Sequence, residues 1–366
     1  MPKRLLIIGR KLDPYPPFDD AVKNATLLLA DTLARQGVSV RVLSYWKGAR
    51  YAARRARRNG VPYLIINRTR WPRILNRVIS NSAVPRILCR AFRADAVYFH
   101  GAFLDLKARK AVHIYSHQHF DADMKVSRDT AVLAENDSIY ERAKLAYPSN
   151  EVHLVYPGVD LAKFRPRTMS RPRKQVKFVF ASSTVPEHDT REREIAVMES
   201  RGVFDIIKLT GALSARMPVE TTMLWRKDTA VVDSFLAPAG PVKAVRRYVE
   251  DMNAFLDDFD FCFCLFKDDG NVKGIPQSMI ECMAKGIPIV TYRDGPLGDL
   301  VREHGFGVTV SPGGGEGDID ALARAATVPE EYSRLSANAV ATARRLFDIE
   351  ATASKVADIL FPRGAA

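Results

Sequence analysis

The chain opens with two short apolar runs on either side of an amphipathic stretch. Residues Lys3–Gly9 (KRLLIIG) have the near-continuous apolar character of a strand buried on both faces. In Asn24–Gln36 the apolar residues recur at helical spacing, and Gly37 follows where the helix would end. Val38–Tyr45 is the second apolar run. This opening therefore predicts a strand, a helix and a second strand, the unit from which parallel sheets are built.

Apolar runs of strand length continue through both halves of the chain. In the first half they are Tyr63–Asn67, Ala96–His100, Ala111–Ser116 and Val152–Tyr156. In the second half they are Val176–Ala181, Asp205–Leu209, Thr229–Val232, Phe259–Phe266, Ile287–Tyr292 and Gly307–Val310. A Pro-Gly pair at 157–158 and a run rich in Pro and Arg at 165–173 separate the two groups. Because the predicted strands alternate with helices, each half is expected to form a doubly wound α/β domain.

The length of 366 residues exceeds what one hydrophobic core usually organises. A composition of 47% hydrophobic and 27% charged residues also excludes a chain dominated by disorder. We predict an N-terminal domain over 1–168, a C-terminal domain over 169–345, and a C-terminal helix over 346–366 that crosses back to the N-terminal domain. Two such domains would leave a cleft lined by the carboxyl ends of both sheets, where α/β sheets bind ligands.

The four cysteines, at 89, 262, 264 and 282, lie in apolar contexts. Only Cys262 and Cys264 are close in sequence, and their spacing matches neither zinc sites nor redox sites. We therefore expect reduced, buried cysteines in a cytoplasmic protein, which excludes a disulfide scaffold. No apolar run approaches the roughly 18 residues of a membrane span, and the first run is too short for a signal peptide.

Positive charge is concentrated in the first half of the chain. The net charge is +13, but residues 1–168 hold 30 Lys and Arg against 14 Asp and Glu, whereas residues 169–366 hold 25 against 28. The 63 residues Thr32–Ala94 contain 15 Lys and Arg and no acidic residue. Their arginines alternate with Trp71, Ile87 and Phe92.

Three interpretations of this basic stretch stay open. An anionic membrane surface, or an anionic acceptor, would suit arginines interleaved with apolar side chains. A solvated basic face would normally mix both signs of charge, so the missing acids weaken that alternative. Nucleic acid would accept the same charge, but the sequence has no zinc-finger spacing, RNP motif or heptad-bearing basic region. We therefore favour the membrane surface or acceptor and expect no nucleic acid partner.

The most informative segment is KGIPQSMIECMAKGIPIV, from Lys273 to Val290. A Gly-x-Pro loop at Gly274–Pro276 precedes a predicted helix, whose N-terminal amides would favour a phosphate. Glu281 falls two turns into this helix, where a carboxylate can accept hydrogen bonds from vicinal hydroxyls. The alternative is an ordinary helix-to-strand turn with a solvated glutamate.

This segment resembles the signature of the family 4 retaining glycosyltransferases, whose usual form is Glu, Gly, x, Pro, four residues, Glu, Ala, Met, Ala. Two other segments are similar to motifs of the same family. Residues Glu151–Pro166 (EVHLVYPGVDLAKFRP) resemble its interdomain strand, and Asp294–Val310 resembles its glycine turn and last strand. Members have the GT-B fold of two facing Rossmann-like domains with an interdomain cleft. The signature positions that match are Gly274, Pro276, Glu281, Met283 and Ala284.

The resemblance implies a set of donor-binding residues in the C-terminal half. Glu281 would bind the ribose of a nucleotide-sugar, and the loop Gly274, Ile275 and Pro276 would face its phosphates. The family also has a basic pair for the pyrophosphate. Here Ser182-Ser183 replaces its Gly-Arg, and Arg201 is the best equivalent of its Lys. Arg193 could supply the missing positive charge, although it could equally be an ordinary exposed residue of a surface helix. The turn near the sugar or phosphates would consist of Gly295, Pro296 and Leu297.

Lys273 stands where the family has the glutamate that contacts the transferred sugar. An ammonium group cannot accept a hydrogen bond from a hydroxyl. Either Lys273 pairs with a carboxylate or phosphate of the donor, or Asp268 or Asp269 reaches the sugar, or the chain no longer catalyses. We predict an active enzyme in which Lys273 makes a changed donor contact.

In the first half, KAVHIYSHQHFDAD ends a predicted strand with His117 and His119, followed by two aspartates. The family often has a histidine at the matching strand end, and the resemblance implies that His117 binds a sugar hydroxyl or assists proton transfer. A metal site and an ordinary surface histidine are the alternatives. Because family members are typically metal-independent, we expect neither a metal nor a cofactor. The family's double-glycine loop is absent, and Pro14–Asp20 stands in its place.

The resemblance therefore implies a retaining glycosyltransferase that moves a hexosyl or related sugar from a nucleotide-sugar donor to a lipid-linked or saccharide acceptor. Cell-surface polysaccharide or glycolipid assembly is the expected pathway. The expected location is the cytoplasm, with peripheral attachment to the inner face of the plasma membrane. Two alternatives remain: a nucleotide-sugar epimerase, which shares the architecture, and a non-catalytic scaffold or binding protein.

Overall fold

The computed structural model describes residues 2–14, 21–46, 53–67, 83–100, 106–116, 120, 124–167, 174–181, 190–225, 230–238, 240–267 and 274–362. The strands are β1 Arg4–Arg10, β2 Ser39–Trp46, β3 Ala53–Arg58, β4 Val61–Asn67, β5 Ala96–His100, β6 Arg109–Ile114, β7 Thr130–Ala134, β8 Val152–Leu154, β9 Val176–Phe180, β10 Val219–Leu224, β11 Val242–Val245, β12 Phe261–Cys264, β13 Ile289–Tyr292 and β14 Gly307–Val310. The helices are α1 Ala21–Arg35, α2 Ala83–Phe92, α3 Asp137–Ala146, α4 Arg191–Ser200, α5 Val203–Ser214, α6 Ala230–Leu236, α7 Met252–Leu256, α8 Gln277–Ala284, α9 Pro296–His304, α10 Glu316–Thr327, α11 Pro329–Leu346 and α12 Ile349–Leu360.

The chain divides into two compact units. The first contains Met1–Gly158 together with Ile349–Ala366, and the second contains Val159–Asp348. The divide lies ten residues before the predicted boundary at 168, directly after the Pro-Gly pair. The last helix, α12, packs on α1 and belongs to the first unit. None of the helices among the described residues is long and apolar enough to cross a bilayer.

The first unit is built on a sheet with the strand order β3-β4-β2-β1-β5-β6-β7-β8. Its neighbouring strands are parallel except for the β3–β4 hairpin. Leu5 and Ile7 of β1 join the core shared with α1 and α12, while Leu6 and Ile8 join the core shared with α2 and α3. All four side chains are buried. The continuous apolar run therefore marks a strand covered by helices on both faces, as the sequence predicts.

The second unit is built on a parallel sheet with the order β11-β10-β9-β12-β13-β14. The order reverses between β9 and β12, so the helices that follow these two strands cover opposite faces of the sheet. Aromatic side chains fill the middle of its core. The ring of Phe178 stacks on those of Phe261 and Phe263, with centroids 5.3 and 4.9 Å away.

Two strand predictions in the second half are wrong. Asp205–Leu209 lies inside α5, and most of Thr229–Val232 lies inside α6. The buried positions of α5 recur every three or four residues, which is helical periodicity that a five-residue window conceals. The strands in this part of the sheet are instead β10 and β11. Their sequences, VETTML and VKAV, are too polar to stand out as apolar runs.

All four cysteines are buried, and none forms a disulfide. The Sγ atoms of Cys262 and Cys264 lie 3.8 Å apart in β12. Cys262 lies between Ile289 and Val179 of the neighbouring strands, and both of these apolar side chains are buried. The contact with Cys262 and burial raise the pKa of the Cys264 thiol, so it stays neutral.

Candidate functional site

The candidate site lies at the carboxyl edge of the second sheet. Ligands of doubly wound sheets bind at this edge, beside the point where the strand order reverses. In this unit that point is between β9 and β12. Three helices begin at the same edge: α5, α8 and α9. Each helix presents amides of its first turn that have no acceptor within the helix.

The loop Gly274–Pro276 leads directly into α8. Pro276 occupies the N-cap position in an extended conformation, so the helix begins at Gln277. Ile275 is only 2% exposed and anchors the loop in the core. The position of the loop is therefore set by packing, while the helix N-terminus behind it carries a partial positive charge. Such an end is suited to a phosphate.

Glu281 lies on the one side of α8 that is not buried. Every other residue of the helix is buried except Ser278, three positions earlier. Residues three apart lie on the same helix face, so α8 presents a hydroxyl and a carboxylate together. A carboxylate in this position can accept two hydrogen bonds from neighbouring hydroxyl groups.

The turn Gly295–Leu297 forms the start of α9. Gly295 has a φ of 108°, which side-chain-bearing residues rarely adopt, and it is exposed. Pro296 follows as the first helical residue, where its missing amide hydrogen costs nothing. A Cβ on Gly298 would lie 2.3 Å from the carbonyl oxygen of Arg293, so only glycine allows α9 to approach β13 this closely. The turn therefore lies at the sheet edge with its backbone open to a ligand.

Gly202 joins α5 to the same edge. It has a φ of 66°, and a Cβ there would lie 2.1 Å from the carbonyl oxygen of Leu265, just beyond β12. The same Cβ would lie 2.9 Å from the Tyr292 hydroxyl, at the end of β13. The Tyr292 hydroxyl also donates a hydrogen bond to Asp205 in the first turn of α5. Burial and this carboxylate raise the pKa of Tyr292, so it stays a neutral donor. The start of α5 is therefore held against the ends of β12 and β13.

Of the two predicted basic residues, only Arg201 lies at this junction. It is the C-cap of α4 and directly precedes Gly202. Arg193 is exposed in the first turn of α4, roughly 12 Å away along the helix axis. The structure therefore does not bring Arg193 beside Arg201 as a pair.

The loop after β14 is organised by Asp318, which sequence reasoning missed. Its carboxylate accepts hydrogen bonds from the amides of Ser311 and Gly315, both at 3.0 Å, and from Arg293 at 2.8 Å. Burial raises the pKa of Asp318, but the two amide hydrogen bonds and the Arg293 guanidinium outweigh it and lower the pKa overall. Asp318 therefore ties the β13 and β14 ends together as a carboxylate. The capping pattern Gly-x-x-Asp at the start of α10 was its sequence signal.

In the first unit, polar side chains gather at the carboxyl ends of β5, β6 and β7. His100 and Thr26 are joined by a 2.8 Å hydrogen bond, and the ring of Tyr115 stacks on His100. Nε2 of His113 lies 3.7 Å from the carboxylate of Glu135, which is fully buried. Sequence reasoning missed both histidines, because each occupies an otherwise apolar strand. Because these side chains are almost entirely buried, we interpret them as packing residues beneath the carboxyl edge of the sheet.

Several predicted residues lie outside the part of the chain that the structure describes: Lys273, His117, His119, Ser182, Ser183, Asp268 and Asp269. Among the described residues, no group of three or more His, Cys, Asp and Glu side chains could hold a metal ion. Nine positions of the predicted set are described. Eight of them lie on the helix starts at the sheet edge or, for Glu281, on the open face of α8: Arg201, Gly274, Ile275, Pro276, Glu281, Gly295, Pro296 and Leu297. Arg193 is the exception.

No family model matches the chain. A stretch of 83 residues, 23% of the chain, is 32% identical to the amylovoran biosynthesis glycosyltransferase AmsK of Erwinia amylovora. The match covers 18% of that protein, so the chain spans less than a fifth of the length of the curated relative that it matches.

Solved structures match over almost the whole chain. A sucrose-phosphate synthase from Thermosynechococcus elongatus has a TM-score of 0.71 at 14% identity, covering 98% of both chains. WaaG, a glycosyltransferase involved in lipopolysaccharide biosynthesis, has a TM-score of 0.68 at 14% identity and covers 98% of this chain and 100% of its own. Anabaena HepE in complex with UDP and glucose has a TM-score of 0.66 at 13% identity, with 98% and 99% covered. The predicted fold is thus confirmed: the chain has the α/β GT-B fold of these glycosyltransferases, in agreement with the resemblance of its motifs to family 4.

Proposed function

We propose that this protein is a retaining glycosyltransferase of family 4 that transfers a sugar from a nucleotide-sugar donor. The observation that carries the proposal is the convergence of three helix N-termini and the open face of α8 at one sheet edge. The names of similar proteins support it. AmsK is a biosynthesis glycosyltransferase for amylovoran, WaaG acts in lipopolysaccharide biosynthesis, and HepE is bound to UDP and glucose. The proposed acceptor is correspondingly lipid-linked or a saccharide, in cell-surface polysaccharide or glycolipid assembly.

The second unit would bind the donor through its nucleotide. The ribose hydroxyls donate hydrogen bonds to Glu281, and the diphosphate lies before the N-termini of α8 and α9. Arg201 adds a positive charge beside the start of α5. When the bond between the sugar and the phosphate breaks, these groups stabilise the negative charge on the departing diphosphate. The acceptor oxygen forms the new bond on the same face, and its proton passes to the departing phosphate. No metal or cofactor is required in this scheme.

Donor binding provides the direct test. Thermal unfolding should be followed with UDP, GDP, ADP, CMP and their sugar conjugates, because a ligand at 100 times its Kd stabilises by about 2.7 kcal/mol. We expect one nucleotide class to raise the Tm, and Glu281→Gln to remove most of that increase when it is measured against the variant's own Tm without nucleotide. Glu303→Gln, at an exposed glutamate of α9, is the matched control and should keep the full increase. The absence of a Tm increase with every nucleotide would overturn the proposal.

Two alternatives remain: a nucleotide-sugar epimerase, which shares the architecture, and a non-catalytic scaffold, which the departures at Lys273 and Ser182-Ser183 would suit. An epimerase would convert a sugar nucleotide in the absence of any acceptor, which nuclear magnetic resonance of the donor would reveal. A scaffold protein would bind a nucleotide or a partner without turning over any donor. Product analysis with and without acceptor therefore separates all three functions.

A further inference from the structure

One side of the first sheet carries arginines that the donor site does not use. It is the side against which α2 and α3 pack, with Phe92 of α2 and Ile139 of α3 in its core. Exposed arginines on this side come from β2, β3, α2 and the residue after α2. They form a set that we call the basic face: Arg41, Arg55, Arg57, Arg86, Arg90 and Arg93.

Strand register assigns the arginines of β3 to opposite sides of the sheet. Arg55 pairs with Leu64, which packs against the core on the α2 side. Arg54 pairs with Ile65, which belongs to the core on the α1 side. Directly opposed residues of an antiparallel pair point to the same face. Arg55 and its i+2 neighbour Arg57 therefore belong to the basic face, and Arg54 does not.

The basic face is densest at the amino ends of the parallel strands. Arg57 pairs with Pro62 of β4, and the β2–β4 register places Arg41 on the other side of Pro62. Two strand spacings separate Arg57 from Arg41, which is about 10 Å. The Arg41 guanidinium lies 4.4 Å from the ring centroid of Phe92, so the end of α2 that carries Arg93 reaches the same region.

Few carboxylates oppose this charge. The segments that supply the six arginines contain no acidic residue between 32 and 94. The carboxylate of Asp95, which follows them in the chain, accepts a hydrogen bond from the backbone amide of Arg4. On α3, Glu141 forms an ion pair with Lys144 at 3.3 Å. The basic face therefore keeps an excess of positive charge.

The helices on this side also expose apolar side chains. Ile87 of α2 is 63% exposed and Leu145 of α3 is 83% exposed. They are two of the three exposed large hydrophobic residues among those that the structure describes. Ile87 lies between Arg86 and Arg90 in sequence, so charged and apolar groups share one helix surface.

We propose that this surface docks on an anionic lipid bilayer. The arginines pair with lipid phosphates while Ile87 and Leu145 enter the headgroup region, a combination typical of peripheral membrane proteins. Nucleic acid would use the charge but leave the two apolar side chains in water. The proposal rests on the proposed function for its purpose, since a lipid-linked acceptor is reached at a membrane.

Cosedimentation with vesicles tests the proposal. We expect binding to an equal mixture of phosphatidylcholine and phosphatidylglycerol, and little binding to phosphatidylcholine alone. Raising the salt from about 0.1 M to about 1 M shortens the screening length from about 10 to about 3 Å and should release most of the protein. Equal binding to neutral vesicles, or no binding to either, would overturn the proposal. So would a preference for duplex DNA or RNA over anionic vesicles.

Matched variants test the location of the surface. The triple substitution Arg86→Gln, Arg90→Gln and Arg93→Gln should weaken vesicle binding on the order of 100-fold, at roughly fivefold for each arginine. Lys208→Gln, Arg334→Gln and Arg344→Gln together remove the same charge from exposed positions of the second unit and should change binding little. Equal losses in both triples would mean that net charge alone acts and would overturn the assigned surface.

The register argument gives a finer comparison. Arg55→Gln should weaken vesicle binding roughly fivefold, whereas Arg54→Gln, one residue away on the opposite side, should have little effect. Nucleotide-induced stabilisation measured on the same proteins separates this proposal from the proposed function. Vesicle binding without a nucleotide-induced rise in Tm would support the docking surface and contradict the proposed glycosyltransferase function. A nucleotide-induced rise in Tm without vesicle binding would support the proposed function and contradict the docking surface.

Discussion

The backbone conformation of Gly202 sets the position of the start of α5 at the candidate site. Its φ of 66° and the 2.1 Å approach of a Cβ to the Leu265 carbonyl both exclude a side chain. We expect Gly202→Ala to destabilise the protein by at least about 2 kcal/mol, because the backbone on one side must shift. The nucleotide-induced increase in Tm should also fall, since the start of α5 would move away from β12. Urea unfolding and thermal shift measure the two effects.

Gly211 of the same helix provides the control. A Cβ there would meet nothing within 4 Å, and the residue is exposed in the helix interior. Gly211→Ala should therefore stabilise the protein by up to about 1 kcal/mol through helix propensity. If both substitutions destabilised to the same extent, the special geometry assigned to Gly202 would be wrong.

Asp318 gives a residue-scale prediction about pH. Its pKa in the folded protein lies below the ordinary value of 3.8, so its stabilising contribution is complete above that value and is lost as the pH falls through the folded pKa. Asp318→Asn should cost about 1 to 3 kcal/mol at pH 7, because an amide cannot serve all three donors. The difference from the wild type should shrink below pH 3.8. Urea unfolding from pH 7 to pH 3 checks this, with the exposed Asp320→Asn as control. A difference independent of pH would contradict the assignment.

The sequence points to some residues of the candidate site and not to others, and the reason is chemical. Glu281 and Gly274–Pro276 form a local pattern within one loop and helix, so sequence spacing could place them. Asp318 acts on amides seven and three residues earlier and on Arg293 of another segment. The hydrogen bond from Arg293 depends on how β13 and β14 pair, so the local Gly-x-x-Asp pattern does not record it.

At the scale of elements, predictions succeeded where burial on both faces makes a strand continuously apolar. The strands β1, β5, β9 and β13 are of this kind, and their predicted positions are confirmed within two residues at each end. The strand β3, with the sequence ARRARR, could not be found this way. It lies at the sheet edge, where a strand pairs with one neighbouring strand only, and its side chains are largely exposed. An exposed strand does not have a continuous apolar sequence. Its arginines also fit the way charge protects sheet edges from pairing with other chains.

The failure at α5 has a related cause. Its first turns read VFDIIKL, in which β-branched and aromatic residues are dense, and these residue types favour strands. Val203, Ile206 and Leu209 lie on one side of the helix and are buried. Their packing in the core stabilises the helical conformation of this connection between β9 and β10. Tertiary packing thus outweighed local propensity, as it often does in short segments.

At the scale of the whole molecule, the chain leaves the first unit at Gly158 and returns at Ile349. A Cβ on Gly158 would lie 2.7 Å from the Cα of Ile349, so the outgoing and returning segments are in direct contact within the first unit. The helix α12 then completes the core against α1, with Ile349, Ala353 and Val356 buried. The core of the first unit is therefore complete only when α12 is in place.

This arrangement predicts that a core substitution in α12 acts on the first unit alone. Val356→Ala should cost about 2 kcal/mol, and hydrogen exchange should quicken in α1 and β1 but not in β9 or β12. Lys355→Ala, at the exposed neighbouring position, should leave exchange in both units unchanged. Faster exchange in the second unit would show that α12 supports that unit as well. Retained nucleotide binding in Val356→Ala would agree with a donor site built entirely on the second sheet, because every described residue assigned to it lies between Val159 and Asp348.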